Sequence, residues 1–344
     1  MRVRIRQEAA LSDRRVTSCF KYRELFQILP LPEDAPSLEF TFGHHPFLME
    51  FSYMVPDVSE TRYNPEIAPQ MLLPMIDREA SSKPKNEVLL LLSTFSRHLV
   101  FQYNMTIINQ QWFVKLPMNA KDVSASYDSV WGQPGYQSKQ LLARVTDAFS
   151  TQTAPAMHLI EPNEYFNSEL PLQYVAGRTL DEFSLPEAIF EYLDKYYSMT
   201  DQAKKAFLSA CSLLRQGIQL FILAPSLAFA AYVSSLEALI AHDHQGKSAD
   251  RCECCNQLKY HVRQRFLDFI RAFGDDSPEG RKQADKVYAR RSAILHEGQL
   301  FLGEIEPRTM DSAVDWANDD QSRRNVIRFF RICLINWLVR HTST

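Results

Sequence analysis

Glycine is scarce in this chain, ten in 344 residues, and no GxxxxGK or GxGxxG string occurs. Loops that wrap backbone amides around a phosphate need such glycines, so a nucleotide-binding fold of that kind is excluded. No GxSxG elbow and no HExxH string is present, which removes two common hydrolase signatures. Charge of one sign is also lacking: the formal net charge is -3, too small for a globally basic nucleic-acid coat. The longest apolar run, Phe221 to Val233, is too short to span a membrane and contains Pro225. The first residues, Met1-Arg2-Val3-Arg4-Ile5-Arg6, are charged where a signal peptide needs an apolar stretch. Of six cysteines, Cys252, Cys254 and Cys255 are crowded together, a pattern for metal or reduced thiols rather than a disulfide framework. The expectation is a cytoplasmic protein without membrane contact. Its length suits two domains, each able to bury its own core.

The two halves follow different periodicities. Residues 1–178 read as a strand-rich α+β domain. Met1–Gln7 alternates Arg with Val and Ile, Leu38–Phe42 alternates again, and Phe47, Met49, Phe51 and Tyr53 recur at period two. Arg97–Tyr103 and Gln110–Leu116 read as further strands with Asn109 in the turn between them. Prolines at 30, 32, 36, 46, 56, 65, 69 and 74 argue against helix in the first part. Ser81–Asn86 reads as a loop, and Ser124–Lys139, with Trp131 and Tyr136, as another. His44-His45 has no carboxylate or cysteine at ligand spacing and reads as a surface pair.

Residues 179–344 read as an all-α bundle. Pro186 suits the first turn of a helix running to Tyr197, and Thr200 suits the cap of a second over 201–222. A third opens at Pro225-Ser226 with Phe229, Val233, Leu236 and Ile240 on one face. Others are predicted over 258–273, 279–296 and 321–340. In the last, Ile327, Phe330, Leu334 and Trp337 form an apolar stripe, with Arg324, Arg328 and Arg331 opposite.

The stretch Arg290-Arg291-Ser292-Ala293-Ile294-Leu295-His296-Glu297-Gly298 carries the chemistry. An imidazole shuttles protons near neutral pH and a guanidinium keeps its charge, which together suffice to cut a phosphodiester without a metal. Gly298 marks the helix end, where the backbone dipole favours a cation. Ala284, Val287, Tyr288, Ile294 and Leu295 fall on one arc of the helix with Arg291 near its centre, so Arg291 needs a partner. Glu237, flanking the apolar stripe of the third helix, is the best candidate. His296 falls about 140° away from Arg291 on a regular helix. A shared substrate phosphate then requires that the helix unwind before Gly298 or that a second copy complete the site.

Arg291 to His296 matches the R-x4-6-H motif of the HEPN superfamily. The Leu236-Glu237-Ala238-Leu239 helix, the Tyr260–Ile270 helix and the Tyr288–Gly298 segment, in that order, resemble its Apea-like branch over roughly 185–340. Ser292 follows the arginine, where many members carry Asn or another polar residue. The resemblance implies a metal-independent endoribonuclease, assembled as a homodimer that brings both motifs into one cleft. His296 would act on the 2′-hydroxyl or the leaving 5′-oxygen, Arg291 on the phosphorane's charge, and Glu237 would orient Arg291. A 2′,3′-cyclic phosphate and a 5′-hydroxyl would result, in a toxin-like or antiphage setting. The superfamily also includes inactive scaffolds, so a non-catalytic dimerisation or RNA-binding module stays open beside the nuclease.

Cys252 and Cys255 form one CxxC pair, and His242, His244 and His261 lie near enough in sequence to complete a tetrahedral set. A structural zinc, within one chain or across two, and a metal-free reduced cluster are both compatible with this spacing. No cofactor is expected for catalysis. A third reading, a zinc-stabilised nucleic-acid binder, rests on the same cysteines. Arg251, Lys259, Arg263, Arg265, Arg281, Lys282 and Lys286, with Arg323, Arg324, Arg328 and Arg331, concentrate positive charge on the helical half, as an RNA partner would require. Solvated helix faces are the plain alternative. Tyr260 and Tyr288 are placed either to stack bases or to fill the core. The N-terminal half shows no chemistry of its own and reads as a sensing or targeting domain.

Overall fold

The computed structural model describes residues 2–32, 39–40, 45–56, 69–102, 112–115, 126–127, 134–136, 143–162, 182–221, 223–246, 250–251, 258–259, 261–301, 304 and 313–341. The chain divides into two compact units, Met1–Glu187 and Ala188–Thr344. The fold is mixed α+β, strand-rich first and helical afterwards.

The first unit is built on an antiparallel sheet. Its strands are β1 (Arg2–Ser12), β2 (Phe20–Tyr22), β3 (Phe26–Leu29), β5 (His45–Val55), β6 (Val100–Phe101) and β10 (Arg144–Thr146), ordered β10-β1-β5-β3-β2 with β6 also on β1. The long β1–β5 pair runs from Arg2 opposite Val55 to Ser12 opposite His45. Phe47, Met49, Phe51 and Tyr53, at period two, are buried together on one face of β5, and Leu48 and Glu50 on its other face are buried as well. A second antiparallel sheet joins β4 (Glu39–Phe40), β7 (Trp112–Lys115), β9 (Pro134–Tyr136) and β8 (Ser126–Tyr127). A short parallel pair joins β11 (Leu159–Ile160) to β12 (Leu185–Pro186).

The proline argument fails over α1 (Pro69–Phe95), which is helical through Pro74 and Pro84 and through the expected loop at Ser81–Asn86. Pro69 opens the helix, where a missing N–H does no harm. The interior prolines are overridden by packing: Ile76, Val88, Leu89, Leu91, Leu92 and Phe95 are all buried. Polar contacts with the sheet add to this, since Arg4 pairs with Asp77 at 2.8 Å, Tyr53 donates to Asp77 at 3.1 Å, and Lys85 pairs with the buried Glu8 at 3.3 Å. Two more expectations need correction. The expected loop at Ser124–Lys139 contains β8 and β9, and only Val100–Phe101 of the expected strand Arg97–Tyr103 is one among the described residues. Asn109, Trp131 and His44 lie outside the described residues.

The second unit holds α2 (Ile189–Ser198), α3 (Asp201–Leu220), α4 (Pro225–Asp243), α5 (Val262–Phe273), α6 (Pro278–Glu297) and α7 (Ala313–Arg340), with a two-residue hairpin pair β13 (Asp250–Arg251) and β14 (Leu258–Lys259). Pro186 sits in β12 and not in the first turn of α2, which begins three residues later. Thr200 caps α3 by accepting from Ala203 N at 3.3 Å. Helix α4 is the central element: Phe229, Val233, Leu236 and Ile240 are buried, as are Phe330, Leu334 and Trp337 of α7. Arg331, expected on the solvent side of α7, is only 3% exposed, and Arg323 likewise.

Candidate active site on the Arg–His helix

Helix α6 starts with Ser277, whose hydroxyl accepts from Gly280 N at 3.0 Å. It stops at Gly298 with φ +68°, a left-handed conformation that costs glycine little. Gln299 N closes the end by donating to Ala293 O at 3.2 Å. Past the end, Phe301 folds back onto α4. Its N–H donates to Ser226 Oγ at 2.9 Å, and its ring meets Phe229 edge-on at 5.5 Å. The Glu304 carboxylate accepts from the Ser226 and Phe301 N–H groups, at 3.2 Å each, so it serves a helix-terminal donor at the start of α4 and holds the returning chain beside it. Arg290 reinforces this return, lying 4.5 Å over the Phe301 ring and donating to Leu300 O. The end of α6, with His296, is thereby tied to the beginning of α4.

Within that frame Arg291 Nη2 donates to Glu237 Oε2 at 3.0 Å. Both side chains are largely withdrawn from water, at 18% and 21% exposure. Ser234 Oγ lies 3.5 Å from the same Glu237 oxygen, and the guanidinium sits 5.9 Å over the Tyr288 ring. Burial pushes the Tyr288 hydroxyl above the ordinary phenol range; the Glu237 charge adds to the rise and Arg291 opposes it. Arg291 Nε and Glu237 Oε1 are buried and make no hydrogen bond. The pairing thus leaves the Nε–H of the guanidinium and the second oxygen of the carboxylate enclosed without a partner.

His296 is exposed at the last turn of α6. The helix remains regular through Glu297, so unwinding before Gly298 does not occur. Within one chain, Arg291 and His296 therefore point about 140° apart. Ala284 and Ile294 of the expected apolar arc are buried, but Leu295, placed there as well, is 44% exposed. Leu300, Leu223 and Leu227 are exposed too.

Several basic residues read from the sequence are already engaged. Arg263 pairs with Asp285, and Arg281 with Asp276. The buried Arg323 donates to Phe221 O at 3.1 Å and lies over the Phe221 ring. Tyr288 is half-buried against Phe266, with ring centroids 5.1 Å apart, and so belongs to the core edge. Cys252, Cys254, Cys255 and Tyr260 lie outside the described residues. Among the described residues, no three His, Cys, Asp or Glu side chains are grouped to hold a metal ion. His242 instead meets His341 and Trp337, at centroid distances of 5.8 and 5.9 Å. Among the described residues no helix is long and apolar enough to cross a membrane.

Sequence reading passed over Ser234, although its position one helical turn before Glu237 is a usable signal. The Ser226–Phe301–Glu304 clasp gave no such signal, because its partners are far apart in the chain. Comparison with protein-family models, curated proteins and solved structures finds no match.

Proposed function

We propose that the helical unit is a HEPN-type endoribonuclease that cuts RNA without a metal in the reaction, in a toxin-like or antiphage role. The observation that carries this reading is Arg291, held half-buried by Glu237 of α4, on the same helix as an exposed His296. Glu237 fixes the guanidinium, Arg291 gives a terminal Nη–H to a phosphate oxygen, and His296 of a second copy moves the proton of the 2′-hydroxyl or of the leaving 5′-oxygen. Attack by the 2′-oxygen on phosphorus breaks the P–O5′ bond and leaves a 2′,3′-cyclic phosphate and a 5′-hydroxyl. Cys252 and Cys255 would hold a structural zinc with no part in these steps.

A second reading, a non-catalytic dimerisation or RNA-binding module, is favoured by one observation: the regular course of α6 keeps His296 away from Arg291 in a single chain. Single-turnover cleavage of a mixed RNA pool, with chelator present, separates the two. The nuclease reading expects cutting by wild type that His296→Ala lowers by on the order of a thousandfold. RNA bound equally by both proteins and cut by neither assigns the module instead. Metal analysis of the same preparation is expected to find about one zinc per chain, and none if the thiols are merely reduced.

A further inference from the structure

Two histidines meet where the last turn of α4 approaches the residue that follows α7. His242 lies in that turn, and His341 comes directly after Arg340. Their imidazoles are 5.8 Å apart between centroids and inclined at 52°. Both rings pack on Trp337: His341 stacks on the indole at 4.5 Å, and His242 meets it edge-on at 5.9 Å. Phe207 of α3 stacks on Trp337 as well, at 6.1 Å. The Trp337 Nε1–H donates to both oxygens of Asp243, at 2.9 and 3.2 Å, which fixes a carboxylate beside the pair.

The arrangement suits a metal cation in several ways. Zinc–nitrogen bonds of about 2.0–2.1 Å set two imidazoles on one ion about 5–6 Å apart between centroids, and the pair stands at that separation. Both rings are half-buried, yet no ring nitrogen of either is hydrogen-bonded among the described residues. Their lone pairs are therefore not spent on protein donors. Burial holds the His341 imidazole below its ordinary range; the Asp243 charge opposes this and His242 adds to it, which favours the neutral, ligating form. The carbonyl ends of α4 and α7 converge here, and both helix dipoles favour positive charge. His244, by contrast, turns its Nδ1 to Ile240 O at 3.0 Å, within its own helix end.

We propose that His242 and His341 ligate one zinc-type transition-metal ion, one imidazole nitrogen each, so that the metal fastens the end of α7 to the end of α4. This rests on the structural zinc proposed above for Cys252 and Cys255 and names its two nitrogen ligands. Among the described residues no third His, Cys, Asp or Glu joins the pair, so the histidines supply half of a tetrahedral set. The chain that leaves α4 just after His242 carries the CxxC thiols for the other half. His341 lies too far along the chain for sequence spacing to link it with the cysteines.

The test loads the full-length chain and its variants with zinc. It then measures metal per chain and retention against a competing chelator, with circular dichroism as the check on folding. Wild type is expected to hold about one zinc. His242→Ala and His341→Ala should each weaken retention by on the order of a hundredfold. Should either not fold, cobalt(II)-loaded wild type answers instead, through two metal-shifted, exchangeable imidazole N–H signals in its proton NMR spectrum. Zinc lost in the histidine variants but kept by Cys252→Ser and Cys255→Ser supports the pair and removes the cysteines. Folded histidine variants that hold zinc as tightly as wild type, or cobalt protein without such signals, overturn the proposal and leave a zinc on the cysteines standing. Wild type that binds no zinc overturns both.

Discussion

A guanidinium at 18% exposure beside a carboxylate at 21% has little access to water if its partner is lost. Glu237→Gln keeps the shape of the side chain and removes the charge, so Arg291 would stand half-buried and uncompensated. The expected loss is about 1–2 kcal/mol of unfolding free energy, between the values for exposed and for fully buried pairs. Urea denaturation of the two proteins checks it, and an unchanged midpoint would mean that the pair is neutral to stability. Arg291 and Glu237 were legible in the sequence because a charged residue at the centre of an apolar arc must find a partner, and the flank of α4 offered one. The outward direction of His296 followed from helix geometry in the same way. Arg331 and Leu295 were not legible. Burial of the first and exposure of the second depend on which neighbouring helices cover each face, and that information is absent from the pattern of one helix.

Elements in the helical unit meet closely where side chains are small. At Gly217 of α3, an added Cβ would fall well inside contact with the Tyr232 ring of α4 and 2.9 Å from Ala228 O. The Tyr232 hydroxyl donates to Gly217 O at 2.8 Å, so the ring cannot swing away without breaking that bond. Gly217→Ala gains helix propensity but forces α3 and α4 apart, and a net destabilisation of about 1–3 kcal/mol is expected. Thermal unfolding reads this directly; a variant as stable as wild type would show that the two helices can separate at no cost. The period-two strand β5 and the helices α3 to α7 were readable as elements because one face of each is apolar over a long stretch. Helix α1 was not, because the local signal of its prolines pointed the other way. Its register against the sheet, through Asp77 and Lys85, only exists once β1 and β5 are formed. The short strands β8 and β9 lack the length for alternation to show.

At the scale of the molecule, the chain divides into two compact units. The second holds the Arg291–Glu237 pair and the exposed His296. The chain division after Glu187 was nearly visible as a change of periodicity, displaced because Pro186 reads equally as a helix start and as an extended residue. Within the second unit, the unbroken course of α6 decides how a nuclease site must be assembled. One chain offers Arg291 in one direction and His296 in another. Under the proposed nuclease reading, a two-fold pairing of identical surfaces would supply the missing member to each site.

Mixing two inactive variants tests that assembly most directly. Arg291→Ala and His296→Ala are each expected to lose RNA cleavage. Refolded together in equal amounts, they form mixed dimers in which one of the two sites has both residues intact. Cleavage should return to about a quarter of the wild-type rate, since half of the dimers are mixed and each has one working site. A mixture as inactive as either variant alone would contradict a site shared between copies.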